Sequence, residues 1–277
     1  MGTLPNLIII GSPKCGTTSL HYYLGLHPEI FMSRTKELRF FIEERNWRRG
    51  VEWYKSQFRT RRQVSIWGEA SPGYTHYPRF LGVPQRMHSV VPQARLIQIV
   101  RDPMKRLFSH YVQWLDQGRI KGDINQEAER FVMASRQCFQ LEQYLPYYPL
   151  ERILIFTQEE MARDRAETLR RVFRFLMVDD SYQSPEFLRR LNVGESKRAR
   201  NPIGRALAKA IEYSGVGPRL PAKIGTPIRK ALLRPFSRPV GGMVLGRELE
   251  QRLLEIFRED VERLRRLTGM KFEGWCV

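Results

Sequence analysis

Cysteine is scarce in this 277-residue chain: Cys15, Cys138 and Cys276 are the full set, with no CxxC pair and no cysteine–histidine spacing. That excludes a disulfide framework and a zinc site of the usual patterns, and fits a reducing compartment. No apolar run approaches the length that crosses a bilayer, and no charged region precedes a long apolar core at the N-terminus. A cytoplasmic protein is therefore expected. Internal repeats and low-complexity tracts are missing as well, which argues against a solenoid and for one large α/β domain over residues 1–277.

Positive charge is what the chain has in excess. Lysine and arginine number 47 against 29 acidic residues, a net charge of +18 carried mainly by arginine. The guanidinium fork suits phosphate and sulfate oxygens, so an anionic ligand or surface is expected. Nucleic acid, an acidic membrane and a small polyanion satisfy that inference equally. A hydrophobic content of 42% supplies enough apolar side chains for a core.

The chain is organised around LIIIGSPKCGTTSL, residues 7–20. Leu7 to Ile10 are apolar without alternation, the pattern of a strand buried on both faces of a parallel sheet. Gly11 and Gly16 permit a tight turn whose N–H groups converge on an anion. Thr17, Thr18 and Ser19 then bring hydroxyls to a helix N-terminus. The glycine spacing is that of a phosphate loop, but Thr17 stands where a nucleotide triphosphatase has lysine, and the lysine lies inside the loop as Lys14. No acidic pair is placed beside the loop to hold magnesium, which weakens a nucleotide-kinase reading. Cys15 reads as a small packed filler rather than a nucleophile.

Further along, Leu20, Tyr23 and Leu24 have helical spacing, stopped by Gly25 and Pro28. Strands are expected at Val64–Trp67, Ala94–Val100 and Arg152–Phe156, with Asp102 and Pro103 opening a helix and Asp164 with Glu167 resembling a capping box. Alternating strand and helix predict a P-loop-like central parallel β-sheet flanked by helices on both faces. The stretch 195–242 is basic, rich in glycine and proline and weakly periodic. It reads as a cover or lid, or as a contact surface for anionic membrane. A long amphipathic helix is expected at 247–267.

Five separated motifs, GSPKCGTTSL, KELRFF, GEASPGY, VRDPMKRLFSHY and ESKRARNP, occur in the order seen in sulfotransferases. Over residues 5 to 205 the chain resembles the carbohydrate-type, heparan-sulfate-like branch that uses 3′-phosphoadenosine 5′-phosphosulfate. The resemblance implies that Lys14, Cys15, Gly16, Thr17, Thr18 and Ser19 bind the 5′-phosphosulfate, and that Arg101 and Ser109 hold the 3′-phosphate. It further implies that Lys197, Arg198 and Arg200 reach the cofactor from the ESKRARNP segment, that Glu37 is the general base, and that no metal is required. Glu69 is a second candidate acid; His21, His76, His88 and His110 read as packed or surface residues. The implied partners are a small-molecule, carbohydrate or lipid acceptor and no nucleic acid. Two positions depart from the pattern: Ala70 where the heparan-sulfate enzymes carry lysine, and Arg198 where they carry glycine. The competing readings are a P-loop kinase and a non-catalytic basic module for nucleic acid or membrane.

Overall fold

A computed structural model describes residues 2–189, 198–213, 231–240 and 243–277, apart from the side chains of residues 212 and 213. Five strands, β1 (Leu7–Gly11), β2 (Ile30–Met32), β3 (Ile66–Ala70), β4 (Arg95–Val100) and β5 (Ile153–Thr157), form one sheet in the order β2-β3-β1-β4-β5. Every pairing in it is parallel. The helices are α1 (Thr17–Leu24), α2 (Gly50–Ser56), α3 (Val83–Val90), α4 (Pro103–Asp116), α5 (Ile124–Glu127), α6 (Glu129–Ser135), α7 (Gln137–Glu142), α8 (Gln158–Arg163), α9 (Arg165–Leu176), α10 (Pro202–Tyr213) and α11 (Arg247–Thr268). A small antiparallel pair, β6 (Arg198–Arg200) with β7 (Ser237–Pro239), completes the described strands.

The unbroken apolar run of β1 has a direct cause. Ile8 and Ile10 join one buried cluster with Phe40, Tyr54, Tyr74, Leu141 and Leu264, while Leu7 and Ile9 join another with Leu20, Tyr23, Leu169 and Phe173. Both faces of the sheet are thus covered, and a two-sided strand has no position left for a polar side chain.

By its internal contacts the chain divides into two compact units. The first comprises Met1–Arg106, Val132–Asn192 and Leu253–Val277 and contains the whole five-stranded sheet; the second comprises Leu107–Phe131 and Val193–Arg252. The expected cover at 195–242 falls within the second unit, and its residues 195–197, 214–230, 241 and 242 lie outside the described residues. Asn201 Oδ1 accepts the Gly204 N–H at 2.8 Å, an N-cap with Pro202 at the first helical position, and α10 follows.

Most helix boundaries follow the local signals. Gly25 ends α1. Asp164 accepts the Glu167 N–H at 3.0 Å and caps α9, while the complete reciprocal capping box forms one helix earlier, between Thr157 and Glu160. The strand β2 is among the elements that sequence analysis missed, because three residues are too short a run to show a period. No described helix is long and apolar enough to cross a membrane.

Candidate active site

The loop after β1 sits where the strand order reverses. The β1 connection leads toward β2 on one side and the β4 connection toward β5 on the other, and open α/β sheets bind ligands at such switch points, beyond the carboxyl ends of the strands. Two glycines are needed here for different reasons. A Cβ on Gly11 would lie 2.2 Å from Thr75 Oγ1, so β1 can approach the turn after β3 only without a side chain. Gly16 has φ of 94°, and its Cβ would meet Met161 Cε at 2.7 Å.

Between them the chain turns back on itself, with the Cys15 N–H donating to the Ser12 carbonyl at 3.2 Å. Gly16 caps α1, its carbonyl accepting the Ser19 and Leu20 N–H groups at 2.9 and 3.1 Å. Thr17 and Thr18 open the helix, so helix geometry leaves their N–H groups no intrahelical partner, at the positive end of the helix dipole. Backbone donors in this arrangement suit an anion.

The loop after β4 is fastened to it. Arg101 Nη1 donates to the Lys14 carbonyl at 3.2 Å, and Arg101 Nε is buried without a protein partner. An orphaned, charged donor at this place fits an anionic ligand. The fastening depends on Gln137, at the start of α7. Its Oε1 accepts the Arg101 N–H at 2.9 Å, its Nε2 donates to the Arg101 carbonyl at 2.6 Å, and the Cys15 thiol reaches Oε1 at 3.6 Å. Gln98, in the middle of β4, donates to the Gln137 carbonyl at 3.1 Å and to Ser12 Oγ at 3.3 Å. Neither glutamine was singled out from the sequence. The available signal was Gln98 alone, a polar residue inside the otherwise apolar run ARLIQIV.

Cys15 reports on the electrostatics of the loop. Burial pushes its thiol up to about 12, although Arg106, Arg101 and Lys14 all act to lower it. It is therefore no nucleophile at neutral pH, in keeping with the packed-filler reading. Arg106 is itself fully buried, donates to Ser135 Oγ at 2.7 Å, and is lowered to about 10, mainly by burial. The loop thus stands over a sequestered positive charge.

Glu37 reaches the same edge of the sheet by way of β2. Beyond that strand the chain continues alongside β3, with the Ser33 N–H on the Gly68 carbonyl at 2.8 Å and the Glu37 N–H on the Ala70 carbonyl at 3.0 Å. The Glu37 carboxylate pairs with Lys36 Nζ at 3.2 Å and with the Arg39 guanidinium, and its side chain is 32% exposed. Burial acts to raise its pKa, but Lys36 and Arg39 outweigh that and hold it below the usual carboxylate range. Lys14, Glu37 and Arg39 are all left-handed, with φ of 73°, 64° and 50°. For residues with a Cβ such backbone is strained, and strain of this kind clusters at functional sites.

Glu69 is different in every respect. It is fully buried and accepts from Tyr54 Oη at 2.7 Å, Tyr74 Oη at 2.8 Å and Ser71 Oγ at 2.6 Å. Burial raises its pKa against the pull of those three hydrogen bonds and of Lys36. Of the histidines, burial lowers His21 to about 4 and His76 to about 3, so neither carries charge at neutral pH.

Lys14, Cys15, Gly16, Thr17, Thr18, Ser19, Glu37 and Arg101 all belong to the first unit, and Lys14 and Arg101 are in direct contact. Ser109, Arg198 and Arg200 belong to the second unit, and Lys197 lies outside the described residues. Arg198 Nε donates to Ser237 Oγ at 2.8 Å, and Arg200 pairs with Asp116, with Nε on Oδ1 at 2.7 Å. Both guanidinium groups are thereby engaged within the second unit. Among the described residues no group of histidine, cysteine and carboxylate side chains is arranged to hold a metal.

A sulfotransferase domain model matches residues 4–191 of this chain. Heparan sulfate glucosamine 3-O-sulfotransferase 5 of Mus musculus is 30% identical over 190 residues, which cover 62% of this chain and 53% of that protein. Bifunctional heparan sulfate N-deacetylase/N-sulfotransferase 3 of Homo sapiens is 27% identical over 208 residues, covering 67% of this chain and 24% of that protein. The chain thus spans about half or less of these relatives' lengths. The crystal structure of a sulfotransferase from Alicyclobacillus acidocaldarius superposes with a TM-score of 0.68 at 23% identity, over 99% of both chains, a likeness of fold.

Proposed function

The chain belongs to the sulfotransferase domain family, and from that premise we propose that it transfers a sulfuryl group from 3′-phosphoadenosine 5′-phosphosulfate to a hydroxyl of a carbohydrate acceptor. The observation that carries the reading is the fastening of the two cationic loops, Arg101 Nη1 on the Lys14 carbonyl, with the Glu37 backbone held at the end of the neighbouring strand β3. One nucleotide bearing a phosphate at each end fits that pair of loops: Lys14 and Gly16–Ser19 on the 5′ side, Arg101 on the 3′ side. The choice of a carbohydrate acceptor draws on the heparan sulfate relatives, one named for hydroxyl and another for amine sulfation.

In this reading the acceptor oxygen bonds to sulfur as the bond from sulfur to the 5′-phosphate oxygen breaks. Glu37 takes the acceptor proton. Lys14 and the helix N–H groups stabilise the charge that gathers on the departing phosphate, a role fixed donors perform without a reorganisation cost. The transferred group carries less charge than a phosphoryl group, so the demand for a metal is smaller. Glu37 is held ionised, which readies it as a base while limiting its basicity. Glu69 has no lone pair turned to solvent and serves as an internal anchor for Tyr54, Tyr74 and Ser71.

Thermal shift and calorimetry with 3′-phosphoadenosine 5′-phosphate, with and without chelator, test the proposal together with mass-spectrometric detection of sulfate on heparosan-type oligosaccharides. Stabilisation by the 3′,5′-nucleotide that survives chelator, with a sulfated product, is expected. Magnesium-dependent release of a nucleoside diphosphate would point to a kinase instead. Lys14→Ala should lower turnover by about 10²–10³-fold; turnover like that of the wild type would remove the lysine from the mechanism.

A further inference from the structure

The far C-terminal residues lie against the residue next to Arg101. Asp102 is 1% exposed and divides its carboxylate between two backbone donors: Oδ1 accepts the Lys105 N–H at 2.9 Å, capping α4, and Oδ2 accepts the Cys276 N–H at 3.0 Å. The Cys276 thiol also approaches Oδ1 at 3.5 Å, a weak donor beside the amide. The segment that delivers this N–H is well held. Trp275 stacks on Phe272 with ring centroids 4.5 Å apart, and Arg265 Nη2 donates to the Val277 carbonyl at 2.9 Å.

A buried carboxylate adjacent in sequence to the phosphate-side arginine is a competitor for that arginine. An ion pair between them would consume the charge that the nucleotide needs and set a fixed negative group beside an incoming dianion. Among the described ion pairs, Asp102 is matched with Lys105 Nζ at 4.0 Å and not with Arg101. Arg101 instead spends one nitrogen on the Lys14 carbonyl and leaves the buried Nε without a protein partner. Each Asp102 oxygen already accepts one backbone N–H, and Oδ2 faces the Lys105 ammonium as well, which weakens the pull of the carboxylate on Arg101.

We propose that the C-terminal segment is a positioning element for the nucleotide site: the Cys276 N–H occupies Asp102 Oδ2 and so keeps Arg101 available to the 3′-phosphate. Cys276 acts here through its main chain, and the side chain is dispensable. The inference rests on the 3′-phosphate role proposed above for Arg101.

Replacing Cys276 by proline deletes the N–H, and replacing it by alanine keeps it. Calorimetric affinities of Cys276→Pro, Cys276→Ala and a chain shortened after Trp275 are compared for 3′-phosphoadenosine 5′-phosphate and for AMP, which lacks the 3′-phosphate. Cys276→Pro and the shortened chain should bind the 3′-phosphorylated nucleotide about five- to tenfold more weakly, with AMP affinity within about twofold, as expected for one charge-assisted hydrogen bond. Cys276→Ala should match the wild type. Unchanged affinity for the 3′-phosphorylated nucleotide in both the proline variant and the shortened chain, or equal weakening for both nucleotides, would overturn the inference. Failure of the wild type to prefer the 3′-phosphorylated nucleotide over AMP would instead overturn the role of Arg101, and the inference with it.

Discussion

Two glutamates stand near the carboxyl end of the same strand, β3, and have been given opposite surroundings. Glu69 lies near the end of β3 inside the core, unexposed and with three hydroxyl donors; Glu37 lies alongside that strand, a third exposed, between two cations. Lys36 acts on both, yet the outcomes diverge, because burial wins at Glu69 and charge wins at Glu37. The carboxyl group is the same; the number of fixed positive charges within reach and the access of water decide whether it becomes an anchor or a reactive group.

The sharpest way to break this contrast is Glu37→Gln. Turnover should fall by about 10²–10⁴-fold, the range for a lost general base, with nucleotide affinity unchanged in calorimetry. Parallel loss of turnover and affinity would turn Glu37 into a support for the loop. Glu69→Gln should do the reverse. Gln brings an NH₂ group to a pocket of hydroxyl donors, which costs roughly 1–3 kcal/mol and appears as a melting point several degrees lower. Turnover per folded molecule should stay near that of the wild type.

A finer test uses pH. The Glu69 pKa is raised in the fold, so its contribution to stability is fully present below the unfolded value of about 4.3 and is lost as pH rises through the folded value. The Glu37 pKa is depressed, so its contribution is present above that same value and is lost as pH falls through the folded one. The melting-point advantage of the wild type over Glu69→Gln should therefore shrink with rising pH through the acid range, and the advantage over Glu37→Gln should grow, by less because that group is partly exposed. Equal slopes would erase the distinction. Smallest of all, Cys15→Ala should leave turnover within about twofold, since a thiol held near 12 takes no part in the chemistry; loss of turnover would revive it as a nucleophile.

The sheet and the glycine-bounded loop were legible because each rests on local chemistry: an apolar run, two glycines, hydroxyls ahead of a helix. So were Asp102 with Pro103 at the start of α4, and Asp164 at the start of α9. What stayed hidden depends on partners far away in the chain. Gln137 is unremarkable in sequence and gains meaning only when α7 is set against two loops more than a hundred and about thirty-six residues away. The contrast between Glu37 and Glu69 stayed hidden for the same reason: tyrosines 54 and 74 and the cations 36 and 39 set it, and no spacing rule announces them. The short β2 strand, which carries Glu37 to the edge, gave no period to detect.

The amide of Gln137 has a consequence for how the pocket meets its ligand. A single rigid plane grips the backbone of Arg101 from both sides while touching Cys15 of the other loop. The gap between the two loops is consequently gauged by one amide and its hydrogen bonds, as by a machinist's jig. Little chain entropy is left to lose when a guest arrives. A jig of fixed span also measures its workpiece, so under the proposed function a nucleotide whose two phosphates are differently spaced should meet the wrong gauge even though its charge is right.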